Sequence, residues 1–168
     1  MPLHLEPVDV SGDLENVSSV LIVSCPVCPP VSLAIQKGTP FIDVFSGGLK
    51  TPAFEDHIQN IREPLERRGV RTGVFSMYAP VPTMCLWTRG QHKRLRRRAK
   101  DFEAVVVLGC ASATHSVQAA LKDTECQIMQ AMQMTGITNA SVKFRFPLTL
   151  TLEETALVGE GEGRGKEV

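Results

Sequence analysis

The sequence has no long apolar run. Although 43% of its 168 residues are apolar, none of its hydrophobic stretches approaches the roughly 18 residues a membrane-crossing helix needs. It has no net charge either, with 18 Lys and Arg against 18 Asp and Glu. No global field therefore draws it onto nucleic acid or acidic lipid. Met1 to Glu6 lack a cationic n-region leading into an apolar h-region, so no secretory signal is expected. There is no internal repeat, no Gly-x-Gly-x-x-Gly and no Walker loop, which leaves nucleotide binding without a motif. An even cysteine count is missing too. Five cysteines in a chain of this length without a signal argue against a disulfide scaffold. They point to reduced thiols, metal binding or redox chemistry in the cytoplasm.

What the chain does have is an alternation of strand and helix signals. Residues 1–17 read as an extended lead-in, 18–155 as a single domain, and 156–168, rich in Gly, Glu and Lys, as a disordered tail. The β-branched run Ser19 to Ser24 predicts a buried strand. Pro30 opens a short helix, Val31 to Gln36, ended by Gly38. Phe41 to Phe45 reads as a second strand, followed by a loop with Gly47 and Gly48. Thr51 and Pro52 start a helix whose stripe is Phe54, Ile58, Ile61 and Leu65, with Pro64 expected to kink it or end its regular part. Val70 to Met77 is a third strand, leading into a proline-braced loop that reaches Trp87. Gln91 to Lys100 is a basic helix. Ala104 to Gly109 is a fourth strand, and Ala111 to Leu121 a helix of small residues with Ser112 or Thr114 as its cap. Cys126 to Met134 fits helix and strand equally. From Ser141 on, Val142, Phe144, Phe146, Leu148, Leu150 and Leu152 alternate with polar residues, which predicts a half-exposed edge strand with Pro147 in it. This order implies an α/β fold: a three-layer sandwich of flavodoxin or Rossmann type, its sheet mainly parallel, with an antiparallel C-terminal edge strand.

In such a sheet ligands bind beyond the carboxyl ends of the strands. Cys25 and Cys28 follow the first strand, Cys85 lies in the loop after the third, and Cys110 follows the fourth. Gly47 and Gly48, after the second, let backbone pass close by. Four thiols are therefore expected at one edge, with Cys126 at the other. Four converging thiolates form the ligand set of a zinc or iron–sulfur site. Scattered core cysteines are the plainer alternative.

Cys25-Pro26-Val27-Cys28 also resembles the Cys-Pro-x-Cys of glutaredoxins and other thioredoxin-fold proteins. That resemblance implies Cys25 as nucleophile and Cys28 as resolving thiol. Pro29 and Pro30 bias Cys28 away from the α region, so Cys28 is expected ahead of the helix. The paired cysteines after strand one, with later single cysteines, are similar in architecture to the cluster-binding, flavodoxin-like domain of hydrogenase small subunits and the related complex I subunit. Gly109-Cys110-Ala111 resembles the later cysteine loop there.

Other residues have roles to weigh. His115, five residues beyond Cys110, could replace a thiol ligand or act as an acid–base group. Ser112, Thr114 and the nearby backbone N–H groups could bind an anion. Tyr78 and Trp87 flank the long loop as a roof or as anchors. Met129, Met132 and Met134 are core fillers or a contact within a homo-oligomer. The basic helix could dock a protein partner. It has no interleaved aromatics, which disfavours nucleic acid. The chain is thus expected to be a metal- or iron–sulfur-binding protein with an electron-transfer or accessory redox role. The alternatives are a thiol–disulfide oxidoreductase and a non-catalytic interaction domain.

Overall fold

A computed structural model of the chain describes residues 2–43, 51–76, 83–146 and 149–158. Among them are four α-helices and eight strands, and the strands form two sheets of four. The parallel sheet is built from β2 (Ser19–Ser24), β4 (Arg71–Ser76), β5 (Ala104–Leu108) and β6 (Gln127–Gln130), in the order β4-β2-β5-β6. β2 and β5 are buried along their whole length. This is what unbroken apolar runs require of central parallel strands, covered on both faces.

The covering helices are α1 (Cys28–Lys37), α2 (Pro52–Arg67), α3 (Arg89–Ala99) and α4 (Ala111–Leu121). Val20, Ile22, Val106 and Leu108 face a cluster with Leu33 of α1 and Phe54, Ile58 and Leu65 of α2. Leu21, Val23, Val105 and Val107 point the other way, to Leu95 and Ala99 of α3 and Val117 and Ala120 of α4. The two helix pairs occupy opposite faces for a topological reason. The chain moves from β2 to β4 in one direction across the sheet and from β4 to β5 and β6 in the other. Crossovers of one hand then need opposite faces.

Several boundaries differ from the sequence expectation. α1 begins at Cys28, three residues early, with prolines at its second and third positions. The first N–H groups of a helix have no intrahelical partner, so proline costs nothing there, and this outweighs the bias on Cys28. Pro64 neither ends α2 nor limits its regular part, which runs on to Arg67. The described part of the second predicted strand, β3 (Ile42–Asp43), belongs to the antiparallel sheet, not the parallel one. Ambiguous Cys126 to Met134 is strand, and β6 pairs in parallel with β5.

The antiparallel C-terminal edge strand is the main correction. The expected single strand is two, β7 (Met132–Arg145) and β8 (Thr149–Val158). With β1 (Leu3–Pro7) and β3 they make a separate sheet in the order β1-β7-β8-β3. Val142 pairs with Leu152 and Phe144 with Leu150, so one alternating pattern served both arms of a hairpin. The N-terminal lead-in supplies β1, and the start of the expected tail, Ala156 to Val158, completes β8. Residues 147–148 and 159–168, with the expectations of Pro147 in a strand and of a disordered tail, lie outside the described residues. The two sheets meet at buried Ala131, whose N–H donates to Val107 O (3.0 Å) and whose carbonyl accepts from Val8 N (2.9 Å). Among the described residues no helix is long and apolar enough to cross a membrane.

Candidate functional site

β2 and β5 are neighbours, but the chain leaves them toward opposite sides of the sheet, β2 to β4 and β5 to β6. Loops that diverge in this way leave a crevice at the carboxyl ends of the two strands. Cys25 is the first residue beyond β2, and its N–H donates to Leu108 O at the end of β5 (2.9 Å). Cys110 is the N-cap of α4, two residues past that same Leu108. A single hydrogen bond thus ties together the strand ends that carry both thiols.

Gly109 lets them approach. A Cβ at this position would stand 2.8 Å from Ala113 Cβ and 3.5 Å from Cys25 Cβ. Its φ is not positive, so what the site needs from glycine is its small size.

Cys28, half-buried, is the first residue of α1. Cys85 is exposed in a single 3-10 turn, Met84–Leu86. The Met84 side chain plugs the core, and its backbone N–H points at the Cys25 sulfur, as do those of Val27 and Cys28. The Leu3 N–H of β1 points likewise at Cys28.

Two of the four thiols, Cys25 and Cys28, are perturbed by their surroundings. Burial pushes the Cys25 thiol up from its ordinary value, and the nearby Cys110 adds to the shift; the three N–H groups oppose it. Burial likewise pushes Cys28 up, with Cys25, Cys110 and Cys85 all contributing in the same direction. Desolvation and like charge both disfavour the thiolate, while N–H donors favour it. All five cysteines are free thiols. Among the described residues, no group of three or more His, Cys, Asp or Glu side chains that could hold a metal ion is found. Cys126 sits at the other end of the sheet, its thiol 3.1 Å from Phe102 O.

The remaining candidates fall differently. Neither Ser112 nor Thr114 caps α4, because Cys110 occupies the cap and no side chain bonds there. The helix begins at Ala111, with two residues between it and the end of β5 at Leu108, so Ser112 and Thr114 already lie inside it. Buried Thr114 instead donates back to the Cys110 carbonyl (3.3 Å), and Ser112 is exposed. His115 is exposed on α4, and it has no part in what shifts Cys25 or Cys28. Gly47, Gly48 and Tyr78 lie outside the described residues. Trp87 packs edge-on against Phe75 and against His92 of α3. Met129 and Met132 are core residues, whereas Met134 is exposed.

Sequence reasoning missed the backbone donors of Leu3 and Met84. A backbone N–H has no sequence signature, and the buried Met84 beside Cys85 was the one available hint. Compared with protein-family models, curated proteins and solved structures, the chain matches none.

Proposed function

We propose that the chain carries an iron–sulfur cluster held by Cys25, Cys28, Cys85 and Cys110 and acts as an electron carrier or accessory redox protein. The observation that supports this reading is that the ends of two adjacent parallel strands carry Cys25 and Cys110, joined by the Cys25 N–H to Leu108 O bond (2.9 Å), with Cys28 opening the helix after the first. One further feature fits a cluster: backbone N–H groups favour the thiolates of Cys25 and Cys28, and such donors are a means by which proteins tune cluster potentials. Within this proposal the fold is a three-layer, flavodoxin-like sandwich, the compartment is the reducing cytoplasm, and a protein partner docks on α3.

A second reading rests on the position of Cys28 as the first residue of α1. Cys25 would attack a partner's disulfide, and Cys28 would resolve the mixed disulfide. The two thiols give up two electrons and two protons to the partner. The upward shift of both thiols weakens this reading, because a nucleophile acts as its thiolate.

Anaerobic purification, followed by reconstitution with ferrous iron and sulfide, separates the possibilities. A cluster gives a brown protein with bound iron and visible absorption, lost in Cys25→Ser and Cys110→Ser. A colourless protein holding one zinc would replace the cluster with a metal site. Metal-free protein with a Cys25–Cys28 disulfide would leave the dithiol reading. If all four Cys→Ser variants fold and nothing binds, the thiols are incidental.

A further inference from the structure

α3 carries a stripe of cations of which, among the described residues, only Arg96 has an acidic partner. Arg89, Lys93, Arg96, Arg97 and Lys100, with Lys122 from the end of α4, line a groove of about 580 Å³. No acidic residue lines it, and among the described residues Asp123 pairs with only one of its cations, Arg96 (3.3 Å). In a chain of zero net charge such a groove is a local field, felt only within about a Debye length of 8–10 Å. From Arg89 to Lys100 the stripe runs roughly 16 Å along the helix axis, an extended surface and not a pocket for one anion.

Its position gives it meaning. The helix is started by a capping box between Thr88 and Gln91, and immediately before Thr88 come Trp87, the 70% exposed Leu86 and the exposed Cys85. His92, which lines the groove, packs on Trp87 at 6.2 Å between ring centroids. Along the chain, the cationic stripe is thus preceded within four residues by the most exposed of the four thiols and by an exposed apolar side chain. An apolar anchor beside a charged surface is how a transient protein contact combines steering with adhesion.

We propose that this groove is the docking surface for an acidic polypeptide, seated so that its edge covers Leu86 and Cys85. The proposal rests on the thiol-site reading only in making that partner an electron carrier. Carboxylates along a polypeptide match cations spaced about one helical turn apart, and no Phe, Tyr or Trp lines the groove as a stacking platform for bases.

Trp87 is the single tryptophan of the chain, so its fluorescence reports occupancy without involving the thiols. The full-length protein is titrated with poly-L-glutamate at low and moderate salt, and with a single-stranded oligonucleotide of equal charge. Poly-L-glutamate is expected to change the Trp87 emission saturably. Its affinity should fall by about tenfold or more in Lys93→Glu/Arg97→Glu, and fall steeply with salt. The control reversal Lys37→Glu/Arg67→Glu, on the other helix pair, should change it by less than about threefold. Both pairs are exposed, and circular dichroism confirms folding. No emission change, an equal loss in the control, or tighter binding of the oligonucleotide overturns the proposal. The assay reads docking whether or not iron binds, so failure here is distinct from failure of the cluster reading.

Discussion

Gly109→Ala tests whether the thiols are brought together by close approach of strand and helix. The added Cβ would meet Ala113 Cβ at 2.8 Å and Val107 Cγ1 at 3.7 Å. The first is well inside ordinary contact, and neither atom belongs to a side chain that can swing away. Ala113 Cβ is fixed to the α4 backbone, so relief requires α4 to move by several tenths of an ångström, carrying Cys110 with it. The backbone itself accepts alanine, since φ at Gly109 is not positive, and the cost is therefore steric. Overpacking of this kind costs about 1–3 kcal/mol, or a fall in Tm of roughly 2–12 °C at this chain length. Urea unfolding of Gly109→Ala, Ala113→Gly and the double variant measures it. Ala113→Gly alone should cost about 1 kcal/mol through helix propensity, plus its lost buried methyl. The double variant should recover at least about 1 kcal/mol relative to the sum of the singles. A Gly109→Ala protein within about 0.5 kcal/mol of wild type, or strict additivity, would refute the close-approach argument.

Two pH effects follow from the shifted groups. For Cys25 and Cys28 the folded thiol titrates above its ordinary value of 9.0, so the fold prefers the protonated form. That contribution is fully present below the ordinary value and is lost as pH rises through the folded one. Thermal unfolding of the metal-free protein should decline on the alkaline side, and Cys25→Ser/Cys28→Ser should flatten the decline; an unchanged slope counts against it. His57 on α2 is shifted down from 6.5, first by burial and then by Lys37, so the fold prefers neutral imidazole. Its contribution is present above pH 6.5 and lost as pH falls through the folded value. Urea midpoints of His57→Gln should therefore fall less on acidification from pH 7 than those of wild type, and parallel curves would remove His57 from the account.

The parallel core was legible because each of its signals is local. An unbroken Val/Ile/Leu run has nowhere to sit but a doubly covered strand, and Ser19 to Ser24, Ala104 to Leu108 and α4 fall where those patterns put them. The antiparallel sheet was not legible, because its pairings span the whole chain: Leu3 lies opposite Ile137 and Ile42 opposite Leu150. Nothing near Leu3 announces a partner more than a hundred residues away. Likewise, alternation from Val142 to Leu152 records which face each side chain takes, and a hairpin preserves that pattern through its turn. At the site, strand ends could be counted from sequence: Cys25 directly follows β2, and Cys110 caps the helix that follows β5. The identity of that cap could not be read, since Ser112 and Thr114 are the better cap types but the helix has already begun at Ala111.

The thiols themselves impose a condition on whatever the site does. Cys25 is 7% exposed, and the three N–H groups that favour its thiolate do not offset its burial. Each additional thiolate near Cys28 raises the cost of the next. Left to themselves, then, Cys25 and Cys28 favour their protonated forms, and a protonated thiol neither attacks nor ligates. A cationic centre removes both obstacles together: it replaces the protons and screens the thiolates from one another. The donors that fall short of ionising Cys25 alone would still be in place to stabilise its sulfur once metal had done so. A nucleophile would need the opposite balance, with its thiolate stable before any partner arrived. The same burial that makes Cys25 a poor free thiol is what a metal-held sulfur can tolerate, and on that asymmetry the cluster stands ahead of the dithiol.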